Sequence, residues 1–159
     1  MSVAEQWLIN NMPDCEELVM IHGDYRTGNY LFDEASGKMT AVLDWELARI
    51  GDFHEDLAYS LVQVFGTWES GSFRASDLYS REEFIRGYEA ASGRIVNRKT
   101  LHYYDILSAY KIYVVVAASG LSAARAAHSH QDVLLSFVGS IGPMFANDMH
   151  RLLTMKESA

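Results

Sequence analysis

An α+β fold, mostly helical with one small β-hairpin carrying the candidate site residues, is what this sequence predicts. Three observations predict it. Four apolar residues in a row, Leu18 to Ile21, run into a loop rich in Gly, Asp and Asn, which reads as a buried strand delivering polar groups to its end. Two further extended stretches, Asn29 to Phe32 and Met39 to Leu43, are joined by Asp33 to Lys38, where Gly37 supplies the turn conformation that other residues resist. Beyond residue 80, three segments carry apolar residues at helical spacing.

The elements follow in chain order. Val3 to Asn11 reads as a short helix with Ser2 as N-cap, Glu5 as its capping-box partner and Pro13 as its stop. The hairpin of residues 29 to 43 brings Asn29 and Asp44 to one end. Trp45 to Phe53 reads as loop, and a helix is expected over His54 to Phe65 with Asp56 in its first turn, where a carboxylate favours the positive helix end. Gly66 to Ser80, rich in Gly and Ser, reads as a loop or insertion. Arg81 to Ala91 reads as a helix opened by Ser80 with Glu83 as capping-box partner and ended near Gly93. Thr100 to about Arg125 and Val133 to Leu153 complete the helical part. The last is expected to kink or break at Gly139 and Gly142-Pro143.

The chemistry is concentrated in His22-Gly23-Asp24-Tyr25-Arg26-Thr27-Gly28-Asn29, followed by Asp44-Trp45-Glu46 and then by Ile50-Gly51-Asp52 and Asp56-Leu57-Ala58-Tyr59. The Asp24-to-Asn29 spacing resembles the catalytic loop of kinase folds, where an Asp accepts a hydroxyl proton and an Asn five residues on reaches a metal ion beside the phosphates. The whole string resembles the aminoglycoside phosphotransferase and choline kinase family. Within it, the string is most similar to the phosphotransferase-like kinases found alone or fused to acyl-CoA dehydrogenases.

The resemblance implies the C-terminal lobe of a protein-kinase-like fold that transfers a phosphoryl group from ATP, with Mg2+, to a small-molecule hydroxyl. It implies Asp24 as the base that orients the acceptor, Asn29 and Asp44 as magnesium ligands at the nucleotide, and Glu46 as a further metal or acceptor contact. Arg26 would neutralise charge on the moving phosphoryl group. His22 and Asp56 are expected to support the loop, Asp56 as its anchor. Phe53 stands where the family's motif has Pro. Trp45 reads as packing, and Tyr104 or Tyr110 as an acceptor contact or core.

No glycine-rich turn and no strand lysine precede His22. The expectation is therefore one domain, residues 1 to 159, with the N-terminal nucleotide-binding lobe outside this chain. Surface that such a lobe would cover should be apolar and exposed, so self-association near residues 1 to 21 is expected, giving a homo-oligomer or a chain that awaits its missing lobe.

Composition bounds the rest. A chain of 159 residues with 49% hydrophobic content buries one core. A net charge of −8 argues against nucleic acid and against an anionic membrane surface. The longest apolar stretch, Ile112 to Ala118, is too short to span a bilayer. Cys15 is the single cysteine, so no intrachain disulfide forms and a cytoplasmic setting is expected. Its neighbours Asp14 and Glu16 should raise the thiol pKa and make it a poor nucleophile. His128-Ser129-His130 lacks the spacing of a zinc site.

Two other readings stand beside the kinase. One is a non-catalytic binding or scaffold lobe that pairs with itself or a partner. The other is a metal-assisted hydrolase built on Asp24, Asp44 and Glu46. The acceptor stays open among an aminosugar, a choline-like alcohol, a homoserine-like amino acid and a hydroxyacyl thioester.

Overall fold

A computed structural model describes residues 3–15, 17–126 and 132–155, with side chains over the same ranges except 119–141. Ser2, Glu16, His128 and His130 lie outside the described residues. The chain falls into two units, residues 13–105 and residues 1–12 with 106–159.

The larger unit holds all the strands. β1 (Leu18–Ile21) pairs antiparallel with β4 (Arg49–Asp52), Met20 opposite Ile50 and Leu18 opposite Asp52. β4 falls where loop was expected. Its four residues contain a single large apolar side chain, so its strand character comes from the partner it pairs with rather than from its own pattern. β2 (Tyr30–Asp33) and β3 (Lys38–Val42) form the expected hairpin. Its turn is built by Asp33, whose carbonyl accepts from the Gly37 amide at 2.8 Å and whose carboxylate accepts from the Ser36 amide at 3.2 Å. Gly37 takes φ +64° there.

α2 (Phe53–Ser60) is shorter than its apolar pattern suggests. Asp52 caps it by accepting from the His54 amide at 3.0 Å, and the helix stops where the Ser60 hydroxyl turns back to the Asp56 carbonyl at 2.9 Å. Residues 66–80 are a second correction to the sequence reading. They form a three-stranded antiparallel sheet, β5 (Gly66–Glu69), β6 (Ser72–Ala75) and β7 (Tyr79–Ser80), whose strands are too short and mixed to announce themselves.

α3 (Arg81–Ser92) carries the predicted capping box, with the Ser80 amide donating to Glu83 at 2.9 Å and the Glu83 amide to the Ser80 hydroxyl at 3.3 Å. The core of this unit gathers Leu57, Ala58 and Leu61 with Ala75, Ile85, Val96 and Leu101, rimmed by Phe53, Phe73, Phe84, Tyr88 and Tyr104. A buried polar joint ties its parts together. His54 Nδ1 lies 2.6 Å from Asp52, and His54 Nε2 accepts from the Asn97 amide at 3.0 Å. That pattern places the ring proton on Nδ1.

The smaller unit is helical: α1 (Val3–Asn10), the later part of α4 (Arg98–Ala126) and α5 (Asp132–Thr154). Ala4, Leu8, Ile106, Ala109, Val116, Phe145 and Leu152 are its buried apolar residues. α5 continues through Gly139 and Pro143 as one helix, so of the kink or break expected at Gly139 and Gly142-Pro143 the break does not occur. No helix among the described residues is long and apolar enough to cross a membrane.

Candidate active site

The loop between β1 and the 3₁₀ turn Thr27–Asn29 is held from below by α2. Both oxygens of Asp56 accept main-chain donors, from the His22 amide at 2.6 Å and the Gly23 amide at 2.8 Å. Gly23 has φ +84°, and a Cβ there would sit 2.7 Å from the Leu47 carbonyl oxygen, so no side chain fits. His22, almost wholly buried, donates from Nε2 to the Leu43 carbonyl at 2.8 Å and accepts the Asp24 amide on Nδ1 at 3.2 Å. Its two nitrogens are thus committed to the backbone of the loop and of the hairpin. His22 and Asp56 are thus both bonded to the backbone of this loop.

Asp24 is the hub of a side-chain network. The Asn29 amide nitrogen donates to the Asp24 carbonyl at 2.9 Å and to its Oδ2 at 2.7 Å. Arg26 Nε lies 3.2 Å from each Asp24 carboxylate oxygen. Because both Asn29 N–H groups point at Asp24, the Asn29 amide oxygen points away from it. The hairpin sets the position of Asp44 relative to that oxygen: Leu43, immediately before Asp44, donates its amide to the Asn29 carbonyl at 2.8 Å.

Asp44 is exposed and takes the left-handed conformation, φ +64° and ψ +57°. Few residue types tolerate it, Asp and Asn among them. Glu46, on the following 3₁₀ turn Trp45–Leu47, is also exposed, and no hydrogen bond joins it to the other site residues. Trp45 packs against His22 with ring centroids 4.7 Å apart and donates its indole N–H to the Val42 carbonyl at 2.8 Å, a packing role.

The donor set suits a hard divalent cation. One amide oxygen and one carboxylate leave most of an octahedral shell to water and phosphate oxygens, which magnesium prefers. Among the described residues no three His, Cys, Asp or Glu side chains group for a metal ion.

Cys15 is exposed, and its thiol is pushed up by desolvation first and by the Asp52 charge next. Tyr104 belongs to the rim of the core of its unit. A cavity of about 360 Å³ lies under the loop, lined in part by Tyr25, Asp56, Ser60, Tyr88 and Arg94; Asp24, Asn29 and Asp44 take no part in it.

Sequence reasoning missed Tyr59, Ser60 and Phe65. The Ser60 hydroxyl donates to the Tyr25 carbonyl at 2.8 Å, and burial first, then Asp24, push the Tyr59 phenol up. For Tyr59 and Ser60 the available signal was their place three and four residues after Asp56 on one helix face.

A phosphotransferase lobe of kinase-like α+β fold is the class that this loop, hairpin and anchoring helix define. The family model described as phosphotransferase enzyme family matches residues 2–94, and the chain belongs to that family. It is similar to chicken (Gallus gallus) acyl-CoA dehydrogenase family member 11, 33% identical over 122 residues that cover 70% of this chain and 16% of that protein. It is also similar to the probable acyl-CoA dehydrogenase IBR3 of Arabidopsis thaliana, 29% identical over 127 residues that cover 69% of this chain and 15% of that protein. The chain therefore spans about a sixth of these relatives. The crystal structure of a putative aminoglycoside phosphotransferase from Ralstonia eutropha JMP134 shares the fold with a TM-score of 0.75 at 21% identity, over 97% of this chain and 49% of that one.

Proposed function

We propose that this lobe carries the phosphoryl-transfer half of an ATP-dependent small-molecule kinase, incomplete as this chain alone, with an alcohol hydroxyl as acceptor. The observation that carries the reading is Asn29, bonded through its amide nitrogen to Asp24 and through its main-chain carbonyl to the amide of Leu43, the residue before Asp44. One residue thereby links the proton-accepting carboxylate to the strand end that bears Asp44.

In this reading Asp24 aligns the acceptor hydroxyl and takes its proton as the oxygen attacks the terminal phosphorus of ATP, the bond to the bridging oxygen breaks and ADP leaves. Arg26 moves from its pairing with Asp24 to the transferring phosphoryl oxygens. Asn29 and Asp44 would hold magnesium, with Glu46 a further contact; when bound, the cation neutralises charge on the nucleotide phosphates. Among acceptors, a hydroxyacyl thioester is favoured by relatives whose names are those of acyl-CoA dehydrogenases. A cytoplasmic setting agrees with the single cysteine.

Isothermal titration with ATP tests the reading. Binding should require magnesium and should be lost in Asn29→Ala and Asp44→Ala. Absence of magnesium-dependent binding at millimolar ATP would sink it.

A second reading, a scaffold lobe that self-associates, is favoured by one feature. Leu18, Met20 and Ile50 share a face of the β1–β4 ribbon and are 66%, 68% and 66% exposed. A contiguous apolar strip of this kind marks a contact surface.

A further inference from the structure

Charge alone does not orient Arg26. Its Nε lies 3.2 Å from each Asp24 carboxylate oxygen, so a single N–H is shared between them and only one of the guanidinium's several donors is engaged there. A planar group pinned at one edge can still turn about that edge. With 34% of its side chain exposed, Arg26 is not immobilised by burial either.

Two further contacts remove that freedom. The Arg26 Cζ stands 5.7 Å from the centroid of the Phe65 ring, within the range in which a guanidinium is drawn to an aromatic face. Its Nη1 lies where a side chain at residue 28 would begin, since a Cβ built on Gly28 would sit 2.2 Å from it. Gly28 is not among the glycines of positive φ, so its lack of a side chain serves space rather than backbone conformation. Ring and gap thus act on one group from separate elements.

Phe65 is itself placed from outside the loop motif. It ends the 3₁₀ turn Gln63–Phe65, where its amide donates to the Val62 carbonyl at 3.0 Å and its carbonyl accepts from the Ser76 amide, just beyond β6, at 3.1 Å. The Tyr59 ring packs beside it with centroids 5.3 Å apart. α2 and the β5–β7 sheet therefore aim the ring, and the ring aims the cation.

The geometry points to Phe65 as a positioning residue that, with the space left at Gly28, seats the Arg26 guanidinium in one orientation beside Asp24. A cation already oriented needs only a short displacement to meet phosphoryl oxygens arriving at Asp24, and it loses less side-chain freedom when it does. The purpose of the seat rests on the phosphoryl-transfer reading, but its existence is tested without turnover.

NMR of the Arg26 Nε–H group, on the chain as it stands, reads the seat directly. The wild type should show a resolved Hε signal that exchanges slowly with water. Phe65→Leu removes the aromatic face and should speed that exchange on the order of tenfold, whereas Phe65→Tyr, which keeps the face, should leave it near the wild-type rate. Gly28→Ala should unseat the guanidinium with Phe65 still in place and give the same loss. A freely exchanging Arg26 in the wild type, unchanged exchange in Phe65→Leu, or equal acceleration in Phe65→Tyr would overturn the assignment. Should Phe65→Leu fail to fold, Gly28→Ala decides, and an Arg26 signal unaltered there counts against the seat. Where the wild type turns over ATP, Phe65→Leu should lower kcat on the order of tenfold with KM for the nucleotide unchanged, and Phe65→Tyr should keep the wild-type value. A rise in KM at constant kcat would count against positioning. A wild type without turnover fails the phosphotransferase reading, and the exchange measurement still decides for Phe65.

Discussion

Replacing Asp56 by alanine removes the acceptor of two main-chain donors at once. The His22 and Gly23 amides lie in buried residues, and each donates to a separate Asp56 oxygen at 2.6 and 2.8 Å. Hydrogen bonds to a charged group contribute about 1.5–3 kcal/mol each, and a buried amide left alone costs a comparable amount. Freed from the need to desolvate a carboxylate, the variant recovers part of this, so a loss of roughly 3–5 kcal/mol is expected. For a chain of this size that corresponds to a fall in melting temperature of about 10 °C.

Asp56→Asn should fall between wild type and alanine. Its amide oxygen can still accept one N–H while its NH2 group opposes the other. Urea unfolding gives the midpoint, and hydrogen exchange at the two amides localises the effect. The reasoning fails if Asp56→Ala unfolds within about 1 kcal/mol of wild type while both amides stay protected.

Other consequences are open to measurement. His54→Ala removes the ring donor of the Asp52 carboxylate, whose side chain is 6% exposed and which keeps the main-chain amide of residue 54, and leaves the Asn97 amide without its acceptor, so it should cost about 2–3 kcal/mol in urea unfolding; a loss below about 1 kcal/mol contradicts the joint. Glu83 is held below its ordinary value of 4.5 by donors from Ser80, so its contribution is complete above pH 4.5 and disappears as the pH falls through its lower folded value. The stability gap between wild type and Glu83→Gln should accordingly shrink in acid, and a gap independent of pH would refute the assignment. Met20→Glu with Ile50→Glu should turn any sedimenting dimer into monomer, and a wild type that sediments as monomer removes the scaffold reading. Asp44→Ala should lose magnesium-dependent nucleotide binding while Asp44→Asn, which also tolerates the left-handed backbone, keeps the fold; equal folding defects in both would argue that Asp44 is structural.

Much of this was legible in the chain. The hairpin announced itself because Asp33 and Gly37 are turn residues flanked by apolar runs, and the Ser80 cap because Glu83 follows at the required distance. The Asp24, Arg26 and Asn29 cluster was legible because all three sit in one loop, where sequence distance and spatial distance nearly coincide. β4 and β5–β7 were not: strands of two to four residues gain their identity from partners. The end of α2 was hidden for another reason. Leu61 and Val62 continue the apolar pattern past the last turn, but they are buried as a connector while Ser60 has already closed the helix.

α2 is eight residues long and has work on both flanks: Leu57 and Ala58 press into the hydrophobic interior while Asp56 and Ser60 grip the loop. A rod so short cannot flex between its two sides, so a slight roll caused by repacking the interior swings the grip by the same angle. Substitutions at Ile85 or Leu101, on other helices, should therefore disturb the aim of Asp24 before they threaten the survival of the fold. Attempts to harden this lobe by refilling its interior need to be screened for carboxylate geometry as well as for melting temperature.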